Sequence, residues 1–241
     1  MKLIELSKYS PPSPDKKIYT DNKDRKASYI IWPETAISQN ILDSKWAMNM
    51  IKNMLNSYPE QAYLITGALR HDRKNNAYFN SIITINKNAK ITNIYNKSHL
   101  VPFGEYMPMS NIIDIAPIVG FTGFKKGKGA ININMPEGIS FSPLICYEII
   151  FAGRSYPIDT NKPDFIVNAT NDAWYGNSAG PYQHLIQSKF RAIETGIPVI
   201  RSANTGISAI ISPIGISLKE GSLSNKTILI EKIPISFAKL N

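Results

Sequence analysis

The single cysteine of the chain is the strongest candidate for a reactive side chain. Cys146 stands at the end of an apolar run, in LICYEIIF, and is followed directly by Tyr147 and Glu148. A strand that ends in a thiol and then turns sharply would expose a nucleophile at the rim of a sheet. A buried structural cysteine is the alternative, and it is the commoner fate of a lone cysteine. Position alone leaves both interpretations open.

Two charged residues in apolar surroundings could complete the chemistry of such a thiol. Lys97 lies in YNKSHLVPFGEYMP, where a buried ammonium would favour the thiolate and stabilise an oxyanion. Glu34 lies in IIWPETAI, where a buried carboxylate could serve as general base. A solvated lysine and a helix-capping carboxylate are the alternatives. Together with the thiol, the two residues would supply what acyl transfer through a thioester needs.

Composition excludes several other classes of function. The 241 residues, 43% hydrophobic and 19% charged, suffice for one large α/β domain. One cysteine excludes an intrachain disulfide and a cysteine zinc cluster, and three histidines give a metal site little support. The net charge of +9 comes without a dense basic run, so an anionic lipid surface is favoured over nucleic acid. We find neither the apolar core of a signal peptide nor an apolar run long enough for a transmembrane helix.

Hydrophobic periodicity predicts one layered α/β domain with a sheet at its centre. Strands are predicted over residues 28–33, 62–69, 78–86, 91–100, 139–151, 163–171, two within 198–215, and 226–235. Helices are predicted over 38–57 and 181–196, the second with Pro181 in its first turn and Gly196 at its end. Residues 101–124 form a long apolar loop broken by proline and glycine.

Four stretches of sequence together resemble one known family. They are IIWPETAI, YNKSHLVPFGEYMP, LICYEIIF and the segment from Asn168 to Gly215. In this order they are similar to the catalytic domain of bacterial apolipoprotein N-acyltransferase, a membrane branch of the nitrilase (carbon–nitrogen hydrolase) superfamily. The long segment favours the lipoprotein enzymes over soluble nitrilases. The resemblance implies an α/β fold of the nitrilase-like αββα sandwich type, with a polar N-terminal segment over 1–27 and the catalytic domain over 28–241.

The resemblance also implies roles for individual residues. Glu34 would be the general base, Lys97 the oxyanion-stabilising cation and Cys146 the nucleophile. Supporting active-site positions are Glu105, Tyr147 and Glu148. Candidate positions for a substrate or lipid loop are Phe103, Met107, Trp174 and Tyr175, although packing of residues 101–124 back on the core is an equal alternative. Residues interpreted as structural are Arg191, Glu194, Asn204 and Gly206, and His99 and His184 are interpreted as local hydrogen-bond partners.

The implied reaction has two steps and needs no metal or organic cofactor. Cys146 would take an acyl chain from a phospholipid, and the N-terminal amine of a diacylglyceryl-cysteine lipoprotein would then receive it. Expected partners are therefore the phospholipid donor, the lipoprotein acceptor and a membrane surface, together with a separate segment that carries membrane helices, and not nucleic acid. The implied location is the bacterial inner membrane, with this domain on the periplasmic side.

The sequence also departs from the family in two expected respects. We expect the family's first strand and all of its membrane helices to be lacking. Two alternatives therefore stand beside the N-acyltransferase: a soluble nitrilase-superfamily amidohydrolase that uses the same three residues with water as acceptor, and an inactive fragment of a truncated or split N-acyltransferase.

Overall fold

Two β-sheets form the centre of the protein. The structure, a computed structural model, describes residues 27–102, 104–106 and 123–237. The first sheet has the strand order β1 (Ala27–Ile31), β2 (Gln61–Asp72), β3 (Ala77–Asn86) and β4 (Ile91–Asn96). The second sheet has the order β10-β9-β8-β7-β6-β5, with bounds β5 (Ile133–Asn134), β6 (Ser140–Ile145), β7 (Phe165–Asn171), β8 (Val199–Asn204), β9 (Ala209–Ile211) and β10 (Ser217–Glu220).

Helices cover the outer faces of both sheets. The short helix α1 (Gln39–Asp43) and helix α2 (Lys45–Asn56) pack on the first sheet, and α3 (Gly180–Thr195) packs on the second. Ser44 lies between α1 and α2, where its side chain accepts a hydrogen bond from the backbone N–H of Ala47 (3.3 Å) and caps the second helix. The four layers confirm the predicted αββα sandwich.

Alternation of side chains along the strands explains these layers. In β2, Tyr63 and Ile65 face the core between the sheets, whereas Leu64 faces the helices α1 and α2. In β7, Val167 faces the core between the sheets and Ile166 faces α3. Because neighbouring side chains of a strand point to opposite faces, a continuous apolar run serves two cores at once.

Strand direction places three chain segments at related sheet edges. β1 is parallel to β2, and β2, β3 and β4 are successively antiparallel, so β4 runs in the same direction as β1. β6, β7 and β8 are mutually parallel. Glu34, Lys97 and Cys146 follow the carboxyl ends of β1, β4 and β6. Such ends, where backbone leaves the sheet, are where α/β proteins commonly place reactive side chains.

Most predicted elements are confirmed, with some corrections. The single helix predicted over 38–57 is interrupted at Ser44. The strands predicted over 91–100 and 139–151 end earlier, at Asn96 and Ile145. The strand predicted over 226–235 is wrong, since these residues belong to no strand, and β5 and β10 were not predicted. An apolar run alone does not separate a paired strand from an extended or tightly turned segment.

Candidate active site

Cys146 begins a tight turn directly after β6. Its backbone lies in the left-handed region (φ 53°), and a 3₁₀ turn covers Cys146–Ile150. A residue other than glycine adopts this conformation only when its surroundings enforce it. The side chain is 8% exposed, and Thr170 and the backbone of Asn171, at the end of β7, hydrogen-bond to the thiol. The turn therefore presents the thiol toward the carboxyl end of the neighbouring parallel strand.

Glu34 lies in a turn that packs closely against β2. The backbone N–H of Gly67 donates to the carbonyl of Pro33 (3.1 Å), and Thr35 takes a left-handed conformation (φ 53°). A Cβ at Gly67 would lie 2.5 Å from the Cα of Glu34, so only glycine allows this approach. The buried carboxylate accepts a hydrogen bond from the side-chain amide of Asn80 (2.8 Å) and another from the backbone of Asn171.

Lys97 is buried between two carboxylates. Its Nζ lies 3.7 Å from Oε1 of Glu34 and 2.9 Å from both oxygens of Glu105. Glu105 is held in turn by Asn80 Nδ2 (3.0 Å) and by the backbone N–H of Val101 (2.8 Å). A buried ammonium is costly without partners, and here it has two. The solvated-loop alternative for Lys97 is therefore wrong.

The charges of this cluster act directly on the thiol. Burial, reinforced by the charge of Glu34, raises the pKa of Cys146 to about 11, while Lys97 works in the opposite direction. Burial also raises the pKa of Glu34, against the opposing effects of Lys97 and Asn80. Burial disfavours the charged form of Lys97, but Glu34, Cys146 and Glu105 outweigh it, and its pKa is raised. A carboxylate made more basic, a thiol and a fixed cation together form an arrangement suited to proton transfer and nucleophilic attack.

Glu148 ties the cysteine turn to the segment that carries Lys97. Its carboxylate accepts hydrogen bonds from the backbone N–H of Ile145 (2.8 Å), from the N–H (2.8 Å) and hydroxyl (2.9 Å) of Ser98, and from the N–H of His99 (2.9 Å). The hydroxyl of Tyr95 lies 2.9 Å from each of its oxygens. The side chain thus links the residue before Cys146 to the residues after Lys97, and its contacts are those of an anchor rather than of a reacting group.

The aromatic candidates lie beside this cluster in different ways. The ring of Tyr147 lies under Lys97, with Nζ 5.5 Å from the ring centroid, and its hydroxyl donates to the carbonyl of Leu100 (3.0 Å). Trp174 is 83% exposed in the 3₁₀ turn Asp172–Tyr175, and the ring of Tyr175 meets His184 edge-on at 5.8 Å. Phe103 and Met107, with residues 107–122, lie outside the described part of the chain.

The amino-acid sequence of this chain matches a known family over most of its length. The sequence model of that family, described as carbon-nitrogen hydrolase, matches residues 16–239. The chain belongs to the carbon–nitrogen hydrolase family.

Among carbon–nitrogen hydrolases, the chain is similar in sequence to apolipoprotein N-acyltransferases. The chain is 39% identical over 223 residues to the apolipoprotein N-acyltransferase of Rhodopseudomonas palustris, an alignment that covers 89% of this chain and 41% of the relative. It is 41% identical over 213 residues to the protein of the same name from Rickettsia prowazekii, with 85% and 41% covered. The chain therefore spans about two fifths of the length of these curated relatives.

Solved structures of the nitrilase superfamily share the fold at much lower sequence identity. Nit3 of Saccharomyces cerevisiae, a member of the nitrilase superfamily, superposes with a TM-score of 0.60 at 16% identity, covering 83% of this chain and 74% of that one. An amidase from Nesterenkonia sp. gives 0.56 at 15% identity, with 81% and 73% covered. In the part of the chain that the structure describes, no helix has the length and apolarity to span a bilayer. Among the same residues, no three His, Cys, Asp or Glu side chains are grouped as a metal would require.

Sequence reasoning named only His184, as a local hydrogen-bond partner, in a buried polar network behind the cysteine of this carbon–nitrogen hydrolase. Arg201 donates from Nη1 to Asn168 Oδ1 (2.6 Å) and from Nη2 to Asp172 Oδ2 (2.6 Å). Nδ1 of His184 lies 2.9 Å from Asp172 Oδ1. Asn80, which bridges Glu34 and Glu105, was missed as well. Asn80, Asn168 and Arg201 are polar residues within strands, and Asp172 lies in the turn that follows β7. Their position in or beside a buried strand pattern was the only signal available.

The contacts of Arg191, Glu194 and Gly206 fit the structural role expected of them, and His99 is a local hydrogen-bond partner as expected. Arg191 pairs with Glu194 one turn later on α3, and Glu194 accepts a hydrogen bond from the backbone N–H of Gly153 (2.9 Å). His99 lies 2.8 Å from Nη1 of Arg154. Gly206 has no room for a side chain, because a Cβ there would lie 2.2 Å from Oδ2 of Asp172.

Proposed function

We propose that this chain is the catalytic domain of an acyltransferase that acts through a thioester on Cys146. The acyl donor is a phospholipid, and the acceptor is the N-terminal amine of a diacylglyceryl-cysteine lipoprotein. The observation that carries the proposal is the cluster of Glu34, Lys97 and Cys146 in a chain about 40% identical to apolipoprotein N-acyltransferases. Because the chain spans only part of those relatives, its donor and acceptor are inferred from their name and from the chemistry of the cluster.

In the first step, Cys146 attacks the ester carbonyl of the donor. Glu34 takes the thiol proton, for which its raised pKa suits it. The new S–C bond forms, and the oxyanion of the tetrahedral intermediate faces the ammonium of Lys97. The ester C–O bond then breaks, and the departing lysophospholipid oxygen receives the proton from Glu34. The acyl group remains on sulfur.

In the second step, the amine of the lipoprotein attacks the thioester carbonyl. Glu34 accepts a proton from the attacking nitrogen, and Lys97 again faces the oxyanion. The C–S bond breaks as the amide forms, and the proton held by Glu34 returns to sulfur. Glu105 has no place in the proton transfers, since it is bound to Lys97, Asn80 and Val101 and fixes the cation.

An enzyme that takes acyl chains from phospholipids must bring its active site to a membrane surface. Trp174 is almost fully exposed in a turn that follows β7, and Tyr175 beside it packs toward the site. Tryptophan and tyrosine favour the interface between lipid and water, where an apolar ring and a polar edge are both satisfied. We infer that this turn contacts the membrane, on the periplasmic side of the inner membrane, and that the domain works beside membrane helices.

Intact mass spectrometry tests the first step directly. The purified chain is incubated with phospholipid vesicles, next to a Cys146→Ala control. We expect a mass increase of one acyl group that neutral hydroxylamine removes and that the control lacks. The second step is tested by adding a synthetic diacylglyceryl-cysteine peptide and measuring loss of the adduct with acylation of the peptide amine.

A chimera separates the proposal from its alternatives. The matching segment of the Rhodopseudomonas palustris relative is replaced by this chain, and lipoprotein N-acylation is measured in cells. A folded, expressed chimera that forms neither thioester nor N-acylated lipoprotein would overturn the proposal. Hydrolysis of short amides by the isolated chain, without a phospholipid adduct, would instead support the amidohydrolase.

A further inference from the structure

A buried histidine touches the backbone of Cys146 rather than its thiol. We propose that His184 is a positioning residue: its Nε2 donates to the carbonyl of Cys146, its Nδ1 lies against Asp172 and Arg201, and the ring held in this way keeps the cysteine in its left-handed conformation. The inference rests on the proposed role of Cys146 as nucleophile. Its test uses no acyl transfer, so its failure and that of the proposed function are distinguishable.

The carbonyl of Cys146 is held from two sides. The side-chain amide of Asn168 donates to it at 3.1 Å, and Nε2 of His184 lies 3.3 Å from it. On the other side of the residue, the N–H of Ile145 is held by Glu148. A left-handed cysteine (φ 53°) needs such support, because relaxation to the ordinary backbone region would be favourable. Relaxation would also swing the side chain away from its neighbours.

The surroundings of the ring define where its protons lie. Nδ1 lies 2.9 Å from an oxygen of Asp172, and Nε2 faces the carbonyl oxygen of Cys146. A carbonyl oxygen can only accept a hydrogen bond, so Nε2 must carry the proton in the contact with Cys146. Asp172 is a carboxylate here: burial opposes its charge, but His184 and Arg201 hold its pKa below the usual range. Nδ1 faces Asp172 and, at 3.3 Å, Nη2 of Arg201, so the ring is held at both of its nitrogens.

One arginine fixes both groups that hold the carbonyl. Arg201 donates to Asn168 through Nη1 and to Asp172 through Nη2, and its Nε donates to the carbonyl of Ile207 (3.1 Å). Its Nη2 also lies 3.3 Å from Nδ1 of His184. All four polar side chains of this network, Asn168, Asp172, His184 and Arg201, are buried. A buried network in which each member has a partner is rigid, so it can impose one backbone conformation on its neighbour.

The consequence for reactivity runs through Lys97. Lys97 lowers the pKa of the thiol, whereas burial and Glu34 raise it. If the carbonyl of Cys146 loses the His184 contact, the backbone relaxes and the thiol moves away from Lys97. The thiolate fraction at a given pH then falls, and with it the rate of alkylation. The groups that face His184 itself are Asp172, Arg201 and the ring of Tyr175.

Nitrogen-15 NMR of the histidine rings tests the protonation state in the wild-type chain. The sequence has three histidines, so His71→Gln and His99→Gln variants assign the signals by elimination. We expect Nε2 of His184 to carry a proton and to couple across the hydrogen bond to the carbonyl of Cys146. An unprotonated Nε2 would overturn the proposed contact with the carbonyl.

Two variants of His184 test the positioning role. His184→Leu removes the donor, and His184→Gln keeps an N–H near the position of Nε2. With iodoacetamide at neutral pH we expect His184→Leu to react about tenfold more slowly than wild type, as loss of one supporting hydrogen bond implies. The pH midpoint of alkylation should rise in the leucine variant and return toward wild type in the glutamine variant.

The pH profile separates positioning from general stability. A purely structural role would lower the melting temperature of His184→Leu and leave its alkylation midpoint unchanged, and that result would overturn the proposal. Failure of the glutamine variant to restore the midpoint would overturn it as well. If the leucine variant does not fold, the ring-nitrogen measurement on the wild-type chain decides.

Discussion

Replacing Glu148 by glutamine should loosen the cysteine turn in a predictable direction. Oε1 accepts hydrogen bonds from the N–H and hydroxyl of Ser98 and from the N–H of His99, while Oε2 accepts from the N–H of Ile145. A glutamine keeps only one oxygen. Because the Ser98 side offers more donors, the oxygen will turn there and the NH₂ group will face the N–H of Ile145, donor against donor.

The expected cost follows from these contacts. The N–H of Ile145 loses its acceptor in a buried place, and the bonds to Ser98 and His99 lose the assistance of a charge. Part of this cost is offset, because a neutral amide is cheaper to bury than a carboxylate. We therefore expect Glu148→Gln to lower the free energy of unfolding by about 2–4 kcal/mol. The loss falls on the residue directly before Cys146, so the thiol should also become less well placed.

Urea denaturation and alkylation kinetics measure the two effects. Glu137→Gln is the matched control: Glu137 accepts a hydrogen bond from the hydroxyl of Tyr63 (2.7 Å) and lies at the other end of β6. We expect the control to cost less than about 1 kcal/mol. Equal urea midpoints for Glu148→Gln and wild type would refute the reasoning that the carboxylate anchors the turn.

Three further changes test the site from other sides. Lys97 lowers the pKa of Cys146, so Lys97→Met should move the pH midpoint of iodoacetamide alkylation upward, and an unchanged midpoint would contradict the cluster's electrostatics. Glu34 raises that pKa, so Glu34→Gln should move the midpoint downward while thioester formation, followed by mass spectrometry, falls by about 100-fold or more. If Glu34→Gln changes neither the alkylation midpoint nor the rate of thioester formation, Glu34 is not the base. Gly67→Ala should cost about 1–3 kcal/mol in urea denaturation, because its Cβ would lie 2.5 Å from Glu34 backbone. Gly104→Ala, whose Cβ would come no closer than 3.5 Å to Val101, should be near neutral. Equal stability losses in the two variants would argue against a special turn at Glu34.

The layers were predicted well because the strands at their centre bury side chains on both faces, which gives a strong apolar pattern. β2 contains the largely apolar run 62–69, β7 begins with Phe165, Ile166 and Val167, and both predicted strands are confirmed. β10 was missed because Ser217–Glu220 is short, polar and at a sheet edge, where little side-chain burial marks a strand. The turn at Cys146 lies within an apolar run whose pattern predicts a longer strand. The contacts of Glu148, Asn168 and His184 with this turn leave no sign in that local pattern.

The site was predictable only in part for a different reason. Glu34, Lys97 and Cys146 could be proposed because each is a reactive or charged residue next to apolar sequence. The sequence motifs around them resemble one family, which assigns the three residues to one site. Asn168, Asp172 and Arg201 give no such signal, because their importance comes from contacts with one another across β7, β8 and α3. A pairing of distant polar residues is a property of the folded chain, and local pattern does not contain it.

The division of the site between the two sheets has a consequence for how the chain folds. Glu34 and Lys97 come from the first sheet and Cys146 from the second, and Glu148 joins them across the sheets. Contacts between distant parts of a chain form slowly, because loop closure must precede them. A half-folded chain would therefore hold base and cation in one unit and the thiol in another. Catalytic competence would arrive only with the docking of the two sheets, so its appearance in time would report that final assembly step.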